Sequence, residues 1–300
     1  MPHFKEVTIE DKDWIKKIFS TQKVLSCEYT FGNIFSYSAK FPIFVAEAYG
    51  CFVSKCIIDG EVSYCFPTGD GDYKKAVEFI IEDAKLHSGE FSIFGINSAG
   101  KDFLLKEFPQ EFTVNYDRDG MDYIYSSTDL IQLKGKKFQP KRNHISFFEK
   151  NYIWQYESVT AENIKDCIDM SENWLYQSNH ADKTDLDNEL KIIKKVAENF
   201  DALGYKGALI RIDGEVVAYS LGEEITDDTF CVHFEKAYPG IRGAYPIINR
   251  EFVKNELSSY KFINREDDVG SENLRKAKLS YQPVMLLDEY EAVYNKNASQ

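Results

Sequence analysis

The chain has 300 residues, 43% hydrophobic and 15% aromatic, which is enough apolar side chain for roughly two packed domains and too much for wholesale disorder. Lys and Arg number 36 against 49 Asp and Glu, a formal charge of -13. That balance excludes a protein gripping nucleic acid over its whole surface and confines any polyanion site to a local basic patch.

No run of about 18 apolar residues occurs, because the most apolar stretch, 41–58, is interrupted by Glu47, Ser54 and Lys55. No membrane span is expected. The first turns carry Lys5, Glu6, Glu10 and Asp11 rather than the apolar block of a secretory signal, so a cytoplasmic location is expected. Cys27, Cys51, Cys56, Cys65, Cys167 and Cys231 lack the paired short spacing of zinc motifs and read as buried thiols. No metal is assigned.

In chain order, the pattern predicts a strand at 5–9, a helix at 11–21 and then a less regular aromatic stretch. A hairpin of 51–58 with 61–66 follows, then a helix at 73–86, a strand at 91–96, a helix at 99–108 and strand character over 113–125. Residues 133–144 hold five cationic side chains within nine positions, and Pro140 suits the first turn of a helix bridging two domains. Beyond it come a strand at 152–159, amphipathic helices at 161–176 and 187–200, and a second hairpin of 207–212 with 215–222. A strand at 229–237, a helix at 244–257, a strand at 261–265, a helix at 272–279 and strands through 284–294 complete the series.

Ile58-Asp59-Gly60-Glu61-Val62 recurs as Ile212-Asp213-Gly214-Glu215-Val216. Asp-Gly between β-rich runs is a hairpin signal, because a tight primed turn needs positive φ. The repeat and the element order predict an α+β fold of two domains of similar topology: 1–132, a basic linker and bridging helix at 133–150, and 151–300.

The second half, with its strand, two helices, three antiparallel strands, helix, strand, helix and strand, resembles the GCN5-related N-acetyltransferase (GNAT) fold. The resemblance implies a mixed, mainly antiparallel sheet flanked by helices in each domain. In that family a glycine-rich turn before a helix holds the donor's pyrophosphate. Here Gly240-Ile241-Arg242-Gly243-Ala244 is a partial match, which assigns Arg242, Gly243 and Ala244 to donor binding. Tyr281, with Asn273 and Ala277, resembles the family helix whose tyrosine protonates the leaving group. Lys141 and Arg142, near a helix start, suit a phosphate or a nucleic acid backbone.

Several stretches together extend the resemblance over nearly the whole chain. They are Ser26-Cys27-Glu28-Tyr29-Thr30-Phe31-Gly32-Asn33, Lys141-Arg142-Asn143-His144-Ile145, His233-Phe234-Glu235-Lys236-Ala237, Gly243-Ala244-Tyr245, Asn264-Arg265-Glu266-Asp267-Asp268-Val269-Gly270 and Leu274-Arg275-Lys276-Ala277-Lys278. They are similar to the bacterial family of the phosphatidylglycerol lysyltransferase C-terminal domain, itself similar to Fem-type aminoacyltransferases with tandem GNAT-like domains. Characterised members move an aminoacyl group from aminoacyl-tRNA to a lipid head group. The membrane-spanning portion that precedes this domain in those enzymes has no counterpart in this sequence, which leaves donor and acceptor open.

Acyl transfer needs a base for the acceptor proton, donors for the developing oxyanion and a grip on the donor's phosphates. Strand alternation predicts His233 and Glu235 on one face, either being the base, and Phe234 and Lys236 on the other. Asn264, Arg265, Glu266 and Asp267, at the end of a strand, are candidates for binding an acceptor amine or a lysyl side chain, with Tyr245 and Lys276 assigned beside them. The resemblance, together with the local basic patch, implies aminoacyl-tRNA as co-substrate, with no tightly bound cofactor and a small-molecule or lipid-head-group acceptor. The alternatives are an acetyl-CoA-dependent N-acetyltransferase and a non-catalytic binding module on the same fold. The C-terminal domain is expected to be catalytic and the N-terminal one degenerate.

Overall fold

The computed structural model describes residues 2–58, 60–87, 89–177 and 183–295, the stretches 175–177 and 183–186 as backbone only. The chain forms two units, residues 1–122 with 287–300, and residues 123–286.

In unit 1 the strands are β1 (Lys5–Glu6), β2 (Ile43–Ala48), β3 (Cys51–Ile58), β4 (Glu61–Cys65), β5 (Thr68–Gly69), β6 (Phe91–Ile96) and β7 (Phe112–Tyr116), the longer of them rich in β-branched and aromatic residues. The helices are α1 (Lys12–Phe19), α2 (Phe31–Tyr37), α3 (Tyr73–Lys85) and α4 (Ser98–Glu107). Asp72 and Asn97 cap α3 and α4 by accepting from the backbone N–H of Lys75 and Gly100. The sheet runs β1-β2-β3-β4-β6-β15-β7, with β5 beside β3, where β15 (Tyr290–Tyr294) returns from the far end of the chain. Among the described residues of this sheet, only β4 and β6 pair in parallel. Ala76, Val77 and Ile80 of α3 pack on Val53, Tyr64 and Ile93 to form the core.

Unit 2 comprises β8 (Tyr123–Ser126), α5 (Ser127–Gln132), α6 (Gln139–Asn151), β9 (Trp154–Ser158), α7 (Ile164–Gln177), α8 (Lys183–Glu198) and α9 (Phe200–Leu203). It continues with β10 (Lys206–Ile212), β11 (Glu215–Thr226), β12 (Thr229–Ala237), α10 (Ala244–Glu256), β13 (Phe262–Asn264), α11 (Glu272–Leu279) and β14 (Met285–Leu286). Its sheet order is β14-β8-β13-β12-β11-β10-β9, again with one parallel pair, β12 with β13. The apolar side of α10, with Ile247, Ile248 and Phe252, covers Phe230, Val232 and Ile263. Among the described residues no helix is long and apolar enough to cross a membrane.

The expected boundaries differ from the units in two places. Residues 123–150 lie inside unit 2, where β8 pairs with β13, so the basic strip and α6 are internal to that unit. β15 lies in unit 1, between β6 and β7. Both differences are long-range strand pairings.

The repeated pentapeptide also proves to be local. Its second copy closes β10 on β11 with Asp213 at φ 52° and Gly214 at φ 88°, while the first joins β3 to β4 with Gly60 at φ 88°; Asp59 lies outside the described residues. β4 is the strand that pairs in parallel with β6, whereas in unit 2 that position belongs to β12, one strand after the hairpin. The copies therefore occupy different hairpins of the two sheets and share turn chemistry rather than topological position.

Candidate active site

β12 and β13 run in parallel only over Thr229–Cys231 and Phe262–Asn264. Beyond that register the two strands carry ionisable side chains. A bulge in β12 sorts these by face. Leu221 pairs with Phe234 and Gly222 with Val232, leaving His233 as an extra residue, and an inserted residue reverses the alternation after it.

Before the bulge, Phe230 and Val232 lie in the core beneath α10; after it, Ala237 is back in that core and Glu235 accepts a hydrogen bond from Asn249 of α10. Lys236 turns the other way, to Glu189 of α8 at 2.8 Å and the Trp174 ring of α7 at 4.4 Å. His233 and Glu235, expected on one face, thus belong to two different clusters, because simple alternation does not survive the bulge.

The cluster on the α10 side is built around Arg265. Its Nη2 donates to Glu235 Oε1 at 2.6 Å, and Asn249 Nδ2 donates to the other carboxylate oxygen at 3.0 Å. The guanidinium carbon lies 4.7 Å from the Tyr281 ring centroid and 5.4 Å from that of Tyr125. Burial opposes the charge of Arg265, and Glu235 with the two tyrosines more than restores it. Two atoms here are closed to solvent without a hydrogen-bond partner: Arg265 Nη1, a donor, and Asn249 Oδ1, an acceptor. Such groups are costly unless something pairs with them.

Lys141 of α6 completes the cluster, its ammonium 3.8 Å from the Tyr281 ring centroid. Burial, reinforced by Arg265, lowers its pKa to about 8. Burial raises that of Tyr281, which keeps its proton at neutral pH.

The second cluster lies on the opposite face of the strands. His233 Nδ1 is 2.7 Å from Glu266 Oε1, and its Nε2 is 3.2 Å from Glu223 Oε1. Glu266 reaches the imidazole from a left-handed backbone position, φ 56°, supported by its N–H donating to Asn264 Oδ1 at 2.7 Å.

The remaining predicted residues are placed elsewhere. Arg142 donates to the carbonyls of Leu133 and Gly135 and to Gln139, so it ties down the turn between α5 and α6 instead of joining Lys141 in a phosphate grip. Gly243 takes φ 95°, and a Cβ there would lie 2.5 Å from the His144 carbonyl oxygen and 2.8 Å from Phe148 Cβ. The start of α10 needs glycine because α6 crosses it closely, a reason that involves no ligand. Ala244 is buried beside it. Exposed Arg242 lies over the Phe147 ring at 4.4 Å.

Tyr245 is exposed at the first turn of α10. Asp267 accepts from the Val269 N–H, and Lys276 pairs with Glu272 on the exposed side of α11.

Sequence reasoning did not find Asn249, Tyr125, Glu223 or Tyr205, and it gave no role to Asp268 of the charged stretch 264–268. A signal existed for Asn249, a polar residue within the apolar stripe Ile247, Ile248 and Phe252 of α10. Asp268, fully buried, binds Arg275 through both oxygens and accepts from the Tyr123 hydroxyl at 2.6 Å. Arg275 holds its carboxyl well below the usual carboxylate range.

Comparison with known proteins fits this architecture. A conserved protein of unknown function from Bacteroides thetaiotaomicron is 37% identical and superimposes with a TM-score of 0.93 over 98% of this chain and 100% of that one. An uncharacterised protein of Mycoplasmoides gallisepticum is 30% identical over 183 residues, 56% of this chain and 54% of that relative, so the match spans about half of its length.

The structure of L-PGS from Bacillus licheniformis, 15% identical, has a TM-score of 0.65 over 98% of this chain and 95% of its own. A tandem GNAT protein from the clavulanic acid biosynthesis pathway, 8% identical, gives 0.53 over 98% of both. The fold is thus a tandem GNAT-like fold. The family model for the C-terminal region of phosphatidylglycerol lysyltransferase matches residues 22–293, and the chain belongs to that family.

Proposed function

We propose that unit 2 transfers an aminoacyl group from aminoacyl-tRNA to an amine or hydroxyl acceptor, with Arg265, Asn249, Glu235 and Lys141 as its working groups. The observation that carries the reading is the pair of buried, unpartnered atoms, Arg265 Nη1 and Asn249 Oδ1, both side chains being anchored to one carboxylate. One offers an N–H and the other an oxygen. An aminoacyl ester presents the complement, a carbonyl oxygen and an α-ammonium, whereas an acetyl group presents only the carbonyl.

Arg265 Nη1–H then stabilises the oxyanion that develops as the acceptor's nitrogen or oxygen bonds to the acyl carbon. With a pKa of about 8, roughly a tenth of Lys141 is neutral at pH 7 and able to take the acceptor proton. The resulting ammonium returns a proton to the ribose oxygen as the ester C–O bond breaks. Glu235, with one oxygen taken by Arg265 and the other by Asn249, positions them rather than acting as base.

The family supports acyl transfer as the reaction class, and the name of its lysyltransferase members supports an aminoacyl donor. Purified protein is titrated with charged tRNA, uncharged tRNA and acetyl-CoA at two salt concentrations, with thermal stability read in each case. The expected result is a salt-sensitive rise with charged tRNA and label passing from the tRNA to an acceptor in a cell extract. A rise with acetyl-CoA alone overturns the aminoacyl donor in favour of acetyl transfer, and silence from all three overturns both donors in favour of another acyl donor or a non-catalytic binding module.

A further inference from the structure

The transfer chemistry makes no use of the buried cluster on the far face of the same strands. We propose that Cys231, His233 and Glu266 form a divalent metal site of the zinc type, with Glu223 as the outer carboxylate that orients the imidazole.

Thiolate, imidazole and carboxylate are the three donor types that zinc takes from proteins. One donor atom from each of the three residues lies within 4.8 Å of the others. Cys231 Sγ is 3.7 Å from His233 Nδ1, close to the edge of a tetrahedron with bonds of about 2.0–2.3 Å. The 2.7 Å between Nδ1 and Glu266 Oε1 opens by about 0.6 Å to admit an ion at such bond lengths. Nδ1 faces the other two donors while Nε2 is held by Glu223, the arrangement by which a carboxylate fixes the ring of a metal-bound histidine.

A separate observation points to an occupant. Tyr205 stacks on the His233 ring, centroids 5.7 Å apart, and its hydroxyl is closed to solvent without a hydrogen-bond partner. It interacts electrostatically with His233, Glu223, Cys231 and Glu266. Three protein ligands leave a fourth position for water, and a metal-bound water gives that hydroxyl its partner. The ligands come from the bulge of β12 and the residues following β13, which no linear spacing announces.

The test uses the full chain, stripped with chelator and titrated with Co2+. The expected result is uptake of about one equivalent with tetrahedral visible bands and a near-ultraviolet thiolate-to-cobalt band, all abolished by Zn2+. Cys231→Ser removes the thiolate band, and Glu223→Gln keeps it while weakening affinity about 10–100-fold. Circular dichroism confirms that each variant folds, and the wild-type spectrum decides the question even where a variant does not. Absence of the band in wild-type protein, or its persistence in Cys231→Ser, overturns the proposal. Neither readout depends on transfer activity, so this failure is distinct from failure of the donor assignment.

Discussion

The two units treat the same structural point in opposite ways. In unit 1, β4 and β6 run in parallel to Cys65 and Phe94, and the next residues are joined by one phenol: Tyr29 Oη lies 2.7 Å from the Gly95 carbonyl oxygen and 3.1 Å from that of Phe66. A neutral side chain caps the end of the pairing. In unit 2 the corresponding point beyond Cys231 and Asn264 carries Arg265 with Glu235 on one face and His233 between two glutamates on the other. A phenol that occupies two carbonyls is a finished structure, whereas charges held beside unpartnered atoms suit a ligand. This contrast supports assigning the chemistry to unit 2 and a degenerate role to unit 1.

The largest expected effect comes from removing a support of the charged point. Asp268→Ala leaves Arg275 and the Tyr123 hydroxyl without their shared acceptor and costs about 3–5 kcal/mol, read by thermal or urea unfolding. The depressed pKa of Asp268 means its contribution is complete above the ordinary carboxylate range and fades as pH falls below it. Wild-type protein should therefore lose stability in acid where Asp268→Asn changes less.

Next, Arg265→Lys should lower transfer about 100-fold, because an ammonium lacks the second arm of the guanidinium. Tyr29→Phe should cost about 1–3 kcal/mol of stability by stripping two buried carbonyls and leave turnover unchanged. Equal loss of activity in both variants breaks the contrast between the units.

Lys141→Met should abolish turnover yet stabilise the fold at pH 7 by on the order of 1–2 kcal/mol, after solvent screening of a partly exposed group. With its pKa lowered to about 8, Lys141 disfavours folding most below pH 8, and the penalty lifts as pH rises from 8 towards the unfolded value of about 10.4. The stability gain of the variant should shrink over that range.

A last test falls in unit 1. Burial, with the nearby carboxylate of Glu28, raises Glu289 to about 9, so stability declines as pH rises from the unfolded value of about 4.3 towards 9. Glu289→Gln should raise the melting temperature clearly more at pH 8 than at pH 5.

Local chemistry carried most of what the sequence revealed. The Asp-Gly turns, the helix after Tyr73 and the Pro140 helix start follow from backbone preferences of a few neighbouring residues. β2 and α2 escaped notice because the aromatic stretch around them, including Phe31, Phe35 and Phe41, has no single period. Arg265 was legible as a charge at a strand end, but Asn249, which shares the Glu235 carboxylate with it, lies on the preceding helix α10, and the separation of His233 and Glu235 onto two faces depends on one inserted residue. Boundaries failed for a related reason, since the pairing of β8 with β13 and of β15 with β6 joins positions more than a hundred residues apart.

That return of β15 has a kinetic consequence. β6 and β7 join one sheet only when Tyr290–Tyr294 arrives between them, so on the ribosome the sheet of unit 1 stays open while all of unit 2 is synthesised. Its early strands wait with unpaired edges, and closing them spans almost two hundred residues of chain, a contact order that slows folding. Unit 1 is thus begun before unit 2 and completed after it.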